Sequence, residues 1–206
     1  AGMVRDDALD AAVRWIAATS ATQSLAVDIE RAAVRIHDLV ATVKKFTYMD
    51  NRAGPESVDV PTGLRDTVRV LASKAKTKGA AIAIDVALDL PRVRANGAEL
   101  NQVWLNVIDN ALDAIPEFGT VDIDVRAELD RVVVRIVDNG PGIPEDIQAH
   151  IFDAFFTTKP PGQGTGLGLD ITRRLVRQYY GDLSVQSRPG RTEFRVSLVT
   201  EEAAEG

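Results

Sequence analysis

The sequence predicts an α+β fold, a two-layer α/β sandwich preceded by a helical dimerisation arm, and three observations point that way. A heptad-spaced apolar seam runs through the first quarter and stops at a breaker cluster. Beyond it, helices and strands come in runs, not in strict strand–helix alternation. Two of those strands are joined too tightly for a crossover, so they must pair antiparallel. At 206 residues, 45% hydrophobic and 26% charged, the chain can bury one full α/β core and leave roughly forty to fifty residues for the arm.

The arm spans 1–52. A short helical stretch near 7–18 carries Leu9, Val13 and Ile16 on one side and crosses Thr19-Ser20-Ala21-Thr22 into a longer helix, 22–50. There Leu25, Ile29, Ala32, Ile36, Leu39, Val43 and Phe46 recur at alternating steps of four and three. That seam predicts a homodimer through helix 22–50, although a helix packed on its own domain has the same periodicity. Asp50-Asn51-Arg52-Ala53-Gly54-Pro55 ends it, and the globular domain, 56–200, begins. Its pattern reads as an extended piece at 57–60, a helix from Pro61 to about 78, a strand at 81–88 and a short segment at 92–94. A helix at 98–115 follows, then paired strands at 120–127 and 131–138, and a helical turn after Pro144. A loop at 151–166, a helix at 167–180 and strands at 183–186 and 192–199 complete it, with 201–206 a disordered tail.

Composition removes several function classes. A net charge of −6 argues against a nucleic-acid partner, which would demand a basic face. With no cysteine there is no disulfide, no thiolate metal site and no thiol nucleophile, and two histidines leave little for a His-rich metal site. No apolar run approaches the ~20 residues of a membrane span, and the first residues lack a signal peptide's pattern, so the chain is expected to be cytoplasmic.

Three segments carry chemistry. The helix at 98–115 is apolar almost all round, yet Gln102, Asn106, Asn110 and Asp113 follow one another at steps of four, four and three in a single stripe. Neutral amide oxygens suit a Mg²⁺ that already carries phosphate oxygens, and the stripe equally fits buried amides that cap neighbouring backbone groups. In the strand at 131–138, Val132, Val134, Ile136 and Asp138 share a face, so a carboxylate ends an apolar row and needs a donor such as the amino group of adenine. Asn139-Gly140 is also a hairpin-turn signal, but Pro141-Gly142-Ile143-Pro144 leads into a helix, which favours glycines that let a ligand approach the backbone. Lastly, Gly162-Gln163-Gly164-Thr165-Gly166-Leu167-Gly168-Leu169 opens a helix, where exposed amides attract anions. It has neither the Lys-Ser/Thr of a phosphate loop nor the third glycine of a dinucleotide fingerprint.

Taken together, Asn106-Val107-Ile108-Asp109-Asn110-Ala111, Asp138-Asn139-Gly140-Pro141-Gly142-Ile143, Ile151-Phe152-Asp153-Ala154-Phe155-Phe156-Thr157-Thr158-Lys159 and Gly164-Thr165-Gly166-Leu167-Gly168-Leu169 resemble the N, G1, F and G2 boxes of sensor histidine kinases in order and spacing. Gly190-Arg191-Thr192-Glu193-Phe194 is similar to that family's last adenine-side motif. The resemblance covers about 58–199 and reaches the wider superfamily of gyrase, the ninety-kilodalton heat-shock chaperone and mismatch-repair ATPases. It implies a mixed, largely antiparallel sheet backed by three helices, with ATP held between the helical layer and a mobile lid. On these positions it implies Asn106 as the Mg²⁺ ligand, Asn110 on the phosphates, and Asp138 on the adenine amino group with Gly140, Gly142, Ile143 and Thr192 around it. Phe156, Thr158, Lys159, Gly164, Thr165, Gly166, Leu167, Gly168 and Leu169 would close over the nucleotide, with Lys159 and Asn106 in catalysis. The implied activity is transfer of the γ-phosphoryl group to a histidine on a dimerisation helix, with a response regulator as later partner. A nucleotide-binding regulatory module without kinase output is the alternative.

Two positions depart from the superfamily's patterns. Gln102 stands where gyrase-like and chaperone relatives carry a water-activating glutamate, and an amide cannot act as a general base. Asp113 replaces a lysine common in histidine kinases, although it borders the same pocket. His37-Asp38 looks like an acceptor pair, but the chain enters the ATP domain within a dozen residues of Asp50. Helix 22–50 therefore resembles the second dimerisation helix, and the acceptor helix is expected to be absent from this chain. His150, ahead of the phenylalanine box, reads as a partly exposed loop residue.

Overall fold

A computed structural model describes residues 54–160 and 163–204, together with Trp15. Helix 22–50, its dimer seam and His37 lie outside the described residues. The described residues belong to two compact units: 54–157 with 166–204 lie in one, and 158–160 with 163–165 in the other. In the latter the Gln163 N–H donates to the Pro160 carbonyl at 3.0 Å. All the elements that follow belong to the former.

Side chains set the helix starts. α1 (Val60–Thr77) begins at Asp59, whose carboxylate accepts from the Thr62 N–H at 3.1 Å, with proline in the first turn where no amide is needed. α2 (Gly97–Ala114) begins at Asn96, whose Oδ1 accepts from the Ala98 and Glu99 amides at 2.9 and 3.3 Å. The strands that precede these two helices, β1 (Glu56–Val58) and β3 (Val93–Ala95), pair antiparallel as a small separate sheet. The main sheet has the order β2 (Ala81–Val86), β4 (Thr120–Glu128), β5 (Arg131–Asp138), β7 (Arg191–Val199), β6 (Asp182–Arg188). β2 and β4 run parallel and the other three pairs antiparallel, the mixed sheet expected. α1, α2 and α4 (Gly168–Gln178) pack on one face of it, and α3 (Glu145–Gln148) is the turn after Pro144.

Period two places the core. Val132, Val134 and Ile136 of β5 sit between Ala127, Val125 and Ile123 of β4 and Leu198, Val196 and Phe194 of β7. All three β5 side chains are fully buried, each contributing on the order of 1.5–3 kcal/mol. Above them α2 buries Leu100, Val103, Trp104, Val107, Ile108, Ala111 and Leu112. The opposite face of the sheet carries ion pairs across strands, Asp85 with Arg126, Asp124 with Arg135, and Glu128 with Arg195, so only one face is packed and the fold has two layers.

α1 also holds the C-terminal half of α2 with two lysines one turn apart. Lys78 Nζ donates to the Leu112, Asp113 and Ile115 carbonyls at 2.7, 3.0 and 2.7 Å, satisfying a helix end that has no basic residue of its own. Lys74 Nζ bridges Asp109 and Asp113. At the other end of α2, Glu99 accepts from the Tyr179 hydroxyl and from Gln178 Nε2, and burial followed by Glu99 pushes that hydroxyl up to about 12.

For 201–204 the expectation of a disordered tail needs correction, while 205–206 lie outside the described residues. Glu201–Ala204 form a short helix, α5, and the Glu201 N–H donates to the Arg92 carbonyl at 2.8 Å while its carboxylate accepts from Ser57 at 2.6 Å. Backbone groups beside β3 supply partners that a local reading of an acidic terminus does not anticipate.

Candidate functional site

β5 delivers Asp138 to the end of the apolar row, at 3% exposure, with Val121 on one neighbouring strand and Thr192 on the other. Its Oδ1 accepts the Gly140 N–H at 2.9 Å. Burial raises its pKa above the usual carboxylate value, and that single backbone donor only partly counters the shift. A buried carboxylate with acceptor capacity left over is a site for a further donor.

The chain then turns away from the sheet. Asn139 Oδ1 accepts from the Thr120 N–H at 2.9 Å, so the asparagine secures the strand end instead of forming a hairpin. Gly142 has φ +86°, and a Cβ there would lie 2.5 Å from the Arg188 carbonyl oxygen, an approach only glycine permits. Ile143 packs against the core, and its N–H donates to Ser187 Oγ at 2.8 Å. Ser187 Oγ is 2.9 Å from Thr192 Oγ1, and Thr192 is buried.

The other end of the site is the seam between α2 and α4. Asn106 Nδ2 donates to the Gly168 carbonyl at 2.9 Å and to Thr172 Oγ1 at 3.1 Å, and Thr172 itself donates to Gly168 O at 2.7 Å. Gln102 Nε2 donates to Asn106 Oδ1 at 2.6 Å, which leaves that oxygen one lone pair. Asn106, Asn110 and Asp113 are partly or fully exposed along the same helix. From Asn106 to Ala114, whose carbonyl abuts Gly140, α2 covers about 12 Å of axis.

The loop after α3 is closed at its stem. The Phe155 N–H donates to the Gly166 carbonyl at 2.9 Å, and with φ +68° a Cβ on Gly166 would lie 2.3 Å from Phe155 C. Phe152 packs on the core beneath the Arg173 guanidinium, 5.2 Å from the ring centroid, and Phe156 packs there too, whereas Phe155 is 62% exposed. Leu167 is buried, and Leu169 is half-buried and packs on the core. Thr158, Lys159, Gly164 and Thr165 belong to the second unit. His150 is exposed and paired with Asp153 at 2.8 Å, as a loop histidine.

Four residues escaped the sequence reading. Thr172 had a faint signal, lying one turn after Gly168 on the inward face of α4. Lys74, Ser187 and Gln148 had none, because the contacts of Lys74 with Asp109, of Ser187 with Ile143 and of Gln148 with the Ser187 carbonyl join segments distant in sequence. Lys74 lies 2.5 Å from both Asp109 Oδ1 and Asp113 Oδ1; burial alone would lower its pKa, but the two carboxylates raise it. Asp113 is thus matched by a cation from the adjacent helix. An open cavity of about 450 Å³ lies outside the Asp138 corner, lined by Ala114, Asn139, Gly140, Pro141 and Pro189. Neither Asp138 nor the α2 stripe lines it. Among the described residues no cluster of His, Cys, Asp and Glu could hold a metal, and no helix is long and apolar enough to cross a membrane.

Comparison with known proteins gives the same residues a context. The family model described as histidine kinase-, DNA gyrase B-, and HSP90-like ATPase matches residues 95–202. Sensor kinase CckA of Brucella abortus (strain 2308) is 34% identical over 184 residues, 82% of this chain and 19% of that protein. The catalytic domain of histidine kinase ThkA superposes with a TM-score of 0.66 at 27% identity, covering 72% of this chain and 97% of that one. ThkA in complex with the response regulator protein TrrA shares the fold, with a TM-score of 0.66 at 22% identity over 80% of this chain and 48% of that one. The chain spans only 19% to 30% of the first curated relatives it matches.

Proposed function

The chain belongs to the family of histidine kinase-, DNA gyrase B- and HSP90-like ATPases, as an ATP-binding catalytic domain of the sensor histidine kinase kind, and from that premise we propose how it works. ATP lies along α2, base at the Asp138 corner and phosphates at the α2–α4 seam. The observation that carries this orientation is the buried, under-donated Asp138 carboxylate, which the 6-amino group of adenine satisfies. The roughly 12 Å of helix between the two ends suits a nucleotide extended from base to triphosphate.

Mg²⁺ fits the seam, because such an ion needs only one or two protein ligands beside phosphate oxygens and water. Asn106 Oδ1, a neutral acceptor with a lone pair remaining, is the residue to hold it, and the ion would supply charge neutralisation at the phosphates. The amides at the start of α4 offer donors to the same anion. Gln102 donates to Asn106 and cannot remove a proton from water, which supports transfer to a protein acceptor over hydrolysis. Gly166 and Gly168, at the start of α4, would line the phosphates.

The acceptor is a histidine on a dimerisation helix other than 22–50; homodimerisation through helix 22–50, a cytoplasmic location and relay to a response regulator belong to the same reading. The test is incubation with Mg²⁺ and γ-labelled ATP, in wild type and His37→Ala. ATP binding without acid-labile label on this chain is expected. Label that disappears in His37→Ala would make His37 the acceptor and refute the separate acceptor helix.

A further inference from the structure

Ser187 pairs with Thr192 in the register and Thr192 with Asp138, so the three form one row across β6, β7 and β5. Ser187 Oγ accepts the Ile143 N–H at 2.8 Å and lies 2.9 Å from Thr192 Oγ1. Gln148 Nε2 donates to the Ile143 and Ser187 carbonyls at 2.7 and 3.3 Å, which holds both backbones in place around that hydroxyl. A serine hydroxyl has one proton and two lone pairs. With one lone pair given to Ile143, two hydrogen arrangements remain. In the first, Ser187 donates to Thr192, and Thr192 keeps its own proton for a ligand. In the second, Thr192 donates to Ser187 and offers the ligand a lone pair, while the Ser187 proton has no recorded acceptor among the described residues.

We propose that this relay makes Ser187 a positioning residue that sets purine specificity, an inference that rests on the ATP reading above. Adenine presents an acceptor at N1 and a donor at its 6-amino group; hypoxanthine carries a proton at N1 and an acceptor at its 6-oxygen. Adenine therefore takes the first arrangement. Thr192 donates to N1, directly or through a water, and Asp138 accepts from the amino group. Hypoxanthine requires the second arrangement and leaves the Ser187 proton unpaired in a half-buried place, which costs affinity. Asp138 reads position 6, and Ser187, through Thr192, reads position 1.

Affinities of the whole chain for ATP, inosine triphosphate and purine riboside triphosphate, all with Mg²⁺, separate these roles by titration calorimetry. In Ser187→Ala the ratio of ATP to inosine affinity should narrow roughly 5- to 10-fold, because Thr192 becomes free to accept. The ratio of ATP to purine riboside, which differ only at position 6, should stay at its wild-type value. Ser187→Thr, which keeps a hydroxyl, should restore both ratios. Thr192→Val removes the end of the relay that meets the base and must also narrow the inosine ratio, an independent arm if Ser187→Ala folds poorly. Affinities that fall in parallel with unchanged ratios would make Ser187 a merely structural partner of Ile143 and overturn the proposal. A folded wild type that binds none of the three would instead refute the ATP reading itself, and the two failures are distinguishable.

Discussion

Lys74→Met removes an ammonium that lies 2.5 Å from Asp109 Oδ1 and 2.5 Å from Asp113 Oδ1, with the three side chains 34%, 39% and 32% exposed. Solvent screening at that exposure holds each pair to about 0.5–1 kcal/mol. Without the lysine, two like charges also remain one turn apart on α2, which adds about 0.3–0.5 kcal/mol. The expected loss is about 1.3–2.5 kcal/mol, because methionine keeps most of the apolar stem's packing. The folded pKa of Lys74 is raised, so its contribution is full below the unfolded lysine value and is lost only as pH rises through the higher folded one. Urea unfolding near pH 7 therefore sits on a plateau and should show a lower midpoint with an unchanged slope. High salt should shrink the difference. An equal loss in an Asp109→Asn, Asp113→Asn background would show that the stem and not the charge was responsible, and would refute the reasoning.

Two other substitutions probe the base end. Gly142→Ala places a Cβ 2.5 Å from the Arg188 carbonyl oxygen at φ +86°, so ATP affinity should fall at least about tenfold, measured by calorimetry; unaltered affinity would mean the loop moves clear of the β6–β7 turn at no cost. Asp138→Asn should weaken ATP while raising the thermal midpoint at neutral pH. The folded pKa of Asp138 is raised, so wild type gains stability as pH falls through that value and loses it as the group ionises. The variant lacks this dependence, and a midpoint that falls would show that the carboxylate is already paired well enough to hold the apo fold.

Legibility followed the range of the forces involved. The polar stripe of α2 and the carboxylate that ends β5 were visible because helix and strand periods are local, and the ordered boxes placed them in one site before any contact was known. The helix starts at Asp59 and Asn96 fell within a residue of expectation, since capping is decided by neighbours. What stayed hidden was held from afar. Ser187 of β6 reaches Ile143 in the loop after β5, Thr172 meets Asn106 between two helices, and Lys74 acts on α2 from α1. The last residues looked like an acidic tail until Arg92 and Ser57 supplied partners. Leu167 sits among the glycines of its loop yet is buried, because alternation along a loop says nothing about which side chains a core will take.

The hydrogen bond from the Phe155 N–H to the Gly166 carbonyl joins the two ends of the segment between them. A tied loop can change its span at little thermodynamic penalty: doubling its length adds only about 0.6 kcal/mol of closure entropy. Lengthening or shortening 156–165 should therefore leave β5 and α4 in place. A scaffold of this kind can vary the segment between these residues by insertion and deletion alone, without redesigning its walls.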